Sequence, residues 1–287
     1  MKTSVALFVP FFALLTFGIP TLGANLSPDG HAVSFDSDWR FLRGEAAGAD
    51  APGFDDKGWR VLDLPHDWSI EDLPSTNGAS PSPFNPAMSA GGAATGYVVG
   101  GVGWYRKHFK LPTTDSGKNV TICFDGVYMN SDVWINGHHL GNHPYGYTPF
   151  VFDLTPYLIP AGRENVLAVQ VKNIGKNSRW YSGSGIYRHV WLAVADPAHI
   201  PFWGVRVATT NISKTAATVS VSTTVENDRN SEAVIRLRTH LIGTEGKAGN
   251  PSEVEVRIPV GKQLEFTQDF PVSKPVLWSL RALFRGV

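Results

Sequence analysis

Apolar and polar residues alternate with a period of two along much of the chain. In NVLAVQV, residues 165–171, Leu167, Val169 and Val171 fall on one face, as in a strand with one side buried. Val120, Ile122 and Phe124 repeat the pattern in VTICF. In DVWINGHHLG the dipeptide Asn136-Gly137 separates two β-prone runs, and both residues tolerate positive φ, so a type I′ hairpin is predicted there. Strand-like runs recur in HVWLAVA, WGVRVATT, ATVSVSTTVEN, AVIRLRTHL, EVEVRIPV and QLEFTQDF, while helical periodicity is nearly absent. The pattern predicts an all-β protein made of two sandwiches.

Two prolines in DPAHIP, residues 196–201, interrupt the strand pattern and place a boundary there. They divide the chain into a first domain over 25–195 and a second over 196–287. The first carries a long irregular insert over 73–103, rich in Ser, Pro, Ala and Gly; such loops in compact domains are functional or mobile. The second is barely long enough for an immunoglobulin-like sandwich. It closes on SLRALFRGV, a basic and apolar stretch with no turn or cap, so it is expected to be incomplete at its C-terminal end.

Composition narrows the partners. The 25 Lys and Arg balance the 25 Asp and Glu, which removes the electrostatic reason to expect nucleic acid or an anionic membrane. Nine Trp beside 29 Gly and 20 Pro suit short strands, tight turns and an aromatic surface with a purpose. Residues 1–23 have one cation, Lys2, and an apolar run over 5–17 too short to span a bilayer; they read as a secretory signal peptide cleaved near Gly23 or Ala24. The mature protein is then extracytoplasmic, periplasmic or secreted. The single cysteine, Cys123, can form no intrachain disulfide and is expected as a small buried hydrophobe. Sequons at Asn25, Asn119 and Asn211 carry little weight.

Several chemistries are excluded. There is no GxxxxGK[ST], no HExxH and no CxxC. A nucleophile elbow on Ser184 needs glycines where Ser182 and Ile186 stand, and the glycines of 100–103 lack dinucleotide spacing. No cofactor is expected. His138, His139 and His143 gather at the predicted hairpin without a close acid or thiol, so they read as a solvated turn rather than a metal site. His66 and Asp67 in LPHDW read as structural hydrogen-bonding residues, because neighbours on a strand point to opposite faces.

Six ordered stretches share a likeness: DSDWRF, WRVLDLPHDW, GVGWYRKHF, VWINGHHLGNHPYGYTPFVFDLTPYL, NVLAVQVKN and RWYSGSGIYRHVWL. Together they resemble the amino-terminal part of glycoside hydrolase family 2, with secreted bacterial β-galactosidases the nearest subgroup. The resemblance implies a jelly-roll sugar-binding domain, an immunoglobulin-like domain and then a (β/α)8 barrel bearing two catalytic glutamates. A retaining glycosidase needs an acid/base carboxyl and a nucleophile about 5 Å apart. The family's acid/base follows an asparagine, yet no Asn-Glu dipeptide occurs here, and the reversed pairs Glu164-Asn165 and Glu226-Asn227 read as solvated charges. A barrel of about 250 residues does not fit after Trp278. These residues are therefore expected to be an inactive amino-terminal portion, its ending the mark of a frameshift or premature stop. A non-catalytic carbohydrate-binding module, a β-glucuronidase or β-mannosidase relative, and a scaffold sandwich stand as alternatives.

RWYSGSGIYR, residues 179–188, carries the candidate site. Gly183 and Gly185 suit close backbone approach, Ile186 is expected in the core, and Arg188 is expected to pair with a carboxylate. The resemblance implies that Arg179, Trp180 and Tyr181 bind substrate by closing the sugar pocket against the barrel, with Trp180 equally suited to packing on that barrel. A guanidinium offers fixed donors to hydroxyls, and an aromatic face covers the C–H side of a hexose. Trp104 and Tyr105 read as core, as do Tyr145, Tyr147 and Phe150. The implied partner is a β-galactoside, once the chain is joined to a catalytic barrel; the full-length enzyme could be a homo-oligomer.

Overall fold

The computed structural model describes residues 32–72, 84–176, 182–243 and 249–277, and they are all-β. Strands β1 (Ala32–Ser34), β10 (Val190–Ala195), β5 (Asn119–Phe124) and β8 (Phe150–Asp153) form a four-stranded sheet in the order β1-β10-β5-β8. A six-stranded sheet runs β3-β2-β4-β9-β6-β7, from β3 (Arg60–Leu62), β2 (Trp39–Arg43), β4 (Gly101–Lys110), β9 (Glu164–Asn173), β6 (Ser131–Ile135) and β7 (His138–His143). Pairing is antiparallel throughout, and the crossovers between sheets give a jelly-roll sandwich.

The alternation seen in the sequence builds its core. Val120, Ile122 and Phe124 of β5 meet Leu167, Val169 and Val171 of β9 in one buried cluster with Trp39, Phe41, Tyr105 and Ile186. Asn136 and Gly137 join β6 to β7 with φ of 51° and 84°, the type I′ signature. Cys123 points out of that core and is buried with Ala32 and Trp191 against the partly buried Phe202.

The outer face of the six-stranded sheet is covered by the excursion between β2 and β3. Ala46 and Ala49 pack there on Trp104 and Ala168, with Trp134 stacked on Trp104 at 5.4 Å. Arg106, fully buried on the same face, donates from Nε to Asp56 at 2.7 Å and from its Nη atoms to the carbonyls of Ala49, Ala51 and Pro52. Arg40 and His108 also reach the Asp56 carboxylate. Burial alone would raise the pKa of Asp56, but hydrogen bonds from His108 and Arg106 outweigh it and hold the carboxyl below its ordinary value.

A smaller unit follows. Strands β12 (Val205–Thr210) and β16 (Lys262–Ser273) flank β13 (Ala216–Asn227), and the short β11 (Ala198–His199) continues the β12 edge. A second layer holds β14 (Ala233–Thr239) and β15 (Ser252–Ile258). Val225, Leu237, Val256 and Ile258 form its buried centre, a small core for five main strands.

Three expectations need correction. Tyr145 and Tyr147 do not pack the sandwich; they are 56% and 54% exposed, while Phe150 is buried. The two rings meet edge to face, and Tyr147 meets Tyr128 in the same way, in an aromatic patch instead. Arg188 is exposed and forms no ion pair with a described carboxylate; its stem lies over Gly126. Of the insert, residues 73–83 lie outside the described residues, 84–100 include a short 3-10 turn over Gly92–Thr95, and β4 already begins at Gly101.

Candidate functional site

Arg179, Trp180 and Tyr181 lie outside the described residues, as do 177 and 178. What the structure describes is how the two feet of that loop are held. Asn173, the last residue of β9, is one foot; its Nδ2 donates to the Ser184 hydroxyl at 2.7 Å and to the Gly183 carbonyl at 3.3 Å. Residues 184–186, the other foot, are paired along both edges. On one side His66 N–H donates to Ile186 O at 2.8 Å and Trp68 N–H to Ser184 O at 2.9 Å. On the other, Tyr128 and Gly185 exchange two backbone hydrogen bonds of 2.9 Å.

Asp67 ties the second foot to the segment that follows β3. One carboxylate oxygen, Oδ1, accepts from the Ser184 N–H at 2.7 Å and the Ser69 N–H at 2.9 Å. Glycine is required beside it. A Cβ on Gly183 would stand 2.1 Å from Asp67 Oδ2, and one on Gly185, whose φ is +132°, would stand 2.4 Å from the Tyr105 hydroxyl. The small residues of RWYSGSGIYR thus let this carboxylate and a tyrosine close on the backbone.

The insert reaches the same place. Trp68 Nε1 donates to Gly100 O at 3.2 Å and the Ser69 hydroxyl to Val99 O at 2.9 Å. Residues 98–100 therefore lie beside Asn173, Ser182 and Ser184 at one end of the sandwich. Beneath them His66 shares a 2.6 Å hydrogen bond with the Tyr105 hydroxyl and donates from Nε2 to Glu71 at 2.9 Å. Burial lowers the pKa of His66, against the raising effect of Glu71, and pushes the Tyr105 phenol well above its ordinary value. Both groups are framework: His66 and Asp67 turn to different partners and do not form a base with its orienter.

The hairpin histidines separate likewise. His139 reaches Asp132 at 2.8 Å, while His138 stacks on Tyr157 and His143 on Phe150. Among the described residues the group that could hold a cation is elsewhere, His199 with Glu226 and Asp228. The sequence offered no local sign of it, because His199 meets Glu226 only through the β11–β13 register.

Glu226 and Asp228 raise the question of a catalytic pair, since their carboxylate oxygens lie within 4.8 Å of one another beside a cleft. They stand two residues apart on one edge and one face, with Asn227 between them turned inward onto Ile258 O at 2.9 Å. A retaining pair flanks the sugar from two sides, so neighbours on one face do not meet the requirement.

Two all-β sandwiches, the first a jelly roll with braced loops at one end, define the class of fold. The family follows from comparison. The model of the glycosyl hydrolases family 2 sugar binding domain matches residues 34–196, and the chain belongs to that family. It is 44% identical over 247 residues to the β-galactosidase BoGH2A of Bacteroides ovatus, covering 86% of this chain and 28% of that protein. A β-glucuronidase of Formosa agariphila is 32% identical, with 89% of this chain and 27% of the relative covered. Among solved structures, a glycosyl hydrolase family 2 member from Bacteroides cellulosilyticus superposes with a TM-score of 0.79 at 41% identity, over 88% of this chain and 32% of that one. The chain thus spans under a third of these relatives and corresponds to an amino-terminal portion of a β-galactosidase- or β-glucuronidase-like protein.

Proposed function

We propose that these residues form the sugar-binding and immunoglobulin-like portion of an extracytoplasmic exo-β-galactosidase that acts with retention. Arg179, Trp180 and Tyr181 then serve as part of the wall that closes the terminal-sugar pocket once a catalytic domain is joined. The observation that supports this reading is the brace at the loop's base: Asp67 accepts from the Ser69 and Ser184 N–H groups, and Asn173 donates to Ser184 and Gly183, so the two feet are held together. Rigid feet favour a loop that must present a guanidinium at a fixed position. The galactoside preference is taken from the 44% identical relative, whose name states that activity.

The 287 residues alone are expected to be inactive, because retention needs two opposed carboxyls and the described acids do not supply them. With the protein fused to a family 2 catalytic barrel, Arg179→Ala should lower kcat/KM for a chromogenic β-galactoside about 10-fold or more, the worth of one charge-assisted hydrogen bond. An unchanged kcat/KM would remove Arg179 from the pocket. A β-glucuronide in parallel tests the sugar assignment, since a preference for it would transfer the reading to the β-glucuronidase relatives.

A further inference from the structure

At the seam between the two sandwiches lies a cleft of about 720 Å³, whose walls include Asn119, Asp153, Phe202 and the His199, Glu226, Asp228 group. The connection between the sandwiches builds that group. Antiparallel pairing of β11 with β13 sets His199 directly opposite Glu226, and the Asp228 N–H donates to Pro197 O at 2.7 Å, fixing the next turn of chain beside it. Asn227 points into the core, which leaves Glu226 and Asp228 on the cleft face.

A ring nitrogen of His199 and a carboxylate oxygen from each acid lie within 4.8 Å of one another. No cationic side chain pairs with Glu226 or Asp228 among the described residues. The Nδ1 atom of His199 is buried and has no hydrogen-bond partner, although a buried polar atom ordinarily has one. Asp228 is held from across the seam by the Asn119 amide on β5. An aligned carboxylate, a second one with no cationic partner and a half-buried imidazole with an orphaned nitrogen make a donor set suited to a shared positive centre.

We infer that this seam binds a divalent cation of the Zn²⁺ type through His199, Glu226 and Asp228, with water from the cleft completing the shell. Imidazole beside carboxylate selects Zn²⁺ over the all-oxygen preference of Ca²⁺ and Mg²⁺. Ligand bonds of about 2.0–2.2 Å place tetrahedral ligands roughly 3.4 Å apart, so closure by at most about 1.4 Å from the 4.8 Å limit completes the set. Asn119 orients Asp228 from outside the shell, so the ion would link the first sandwich to the second. Its amide is thereby committed to Asp228, which argues against a glycan on that sequon.

Calorimetric titration of ZnCl₂ into the chelator-stripped, dialysed protein tests this. One saturable site per chain is expected, weakened about 10-fold or more in His199→Ala, with Glu226→Gln and Asp228→Asn each weakening it as well, while His139→Ala leaves it unchanged. Zn²⁺ should also raise the melting temperature of the parent and not of His199→Ala. Should His199→Ala fail to fold by circular dichroism, the partly exposed Glu226→Gln carries the comparison. Absence of saturable uptake up to about 1 mM, the weak end of specific binding, overturns the site. So does uptake that His199→Ala and Glu226→Gln leave intact, which would place the ion elsewhere.

Discussion

Asp67→Ala is the most informative single change in the first sandwich. Its carboxylate accepts from Ser69 and Ser184, both fully buried, so the alanine leaves two backbone donors without a partner or water. Each orphaned donor costs about 1–3 kcal/mol, and the pair about 3 kcal/mol after partial relaxation. For a unit of this size that corresponds to about 6–12 °C in melting temperature. Asp67→Asn retains an acceptor oxygen and should lose about half as much, which separates the hydrogen bonds from the space they occupy. Differential scanning calorimetry on parent and both variants gives the numbers. An alanine variant melting within about 1 °C of the parent, as at an ordinary surface position, would refute the brace and with it the argument that the feet are rigid.

Gly185→Ala should destabilise by about 2 kcal/mol or more, since φ of +132° disfavours any side chain and the new methyl would stand 2.4 Å from the Tyr105 hydroxyl; a chemical denaturation midpoint reads this. Asp56→Asn should cost about 3–5 kcal/mol by leaving Arg106 charged and buried, and a denaturation curve showing under about 1 kcal/mol would contradict the clamp. The folded pKa of Asp56 lies below its ordinary 3.8, so its contribution is full above about pH 4 and falls away as pH drops through the folded value; acid melts of Asp56→Asn should lack that step. The protein should also self-associate, because β12 is an edge strand with Val205 and Val207 46% and 61% exposed, and light scattering from a clean monomer at high concentration would count against it.

Strands were legible where one face is buried and the other wet. β5, β9 and the Asn136-Gly137 hairpin fall where alternation and turn chemistry place them. Contacts between distant segments were not. Asp67 and Ser184 are 117 positions apart, and nothing local marks which carboxylate will hold which backbone. The cover over Trp104 depends on Arg106 finding Asp56 at a separation of 50, and two charged residues far apart in sequence read as solvated until a fold joins them. Tyr145 and Tyr147 misled for a related reason: aromatic residues near a strand suggest core, but here they sit in the turn after β7. The His199 group shows the same limit, since a cross-strand pair exists only once register is known.

The most direct test is turnover by the purified 287-residue protein on chromogenic β-galactoside and β-glucuronide. The account predicts a rate equal to that of the buffer blank on both substrates. Turnover that survives repurification from a β-galactosidase-deficient host and disappears in Glu226→Gln would contradict it, by showing a working carboxyl pair where the geometry offers two neighbours on one face.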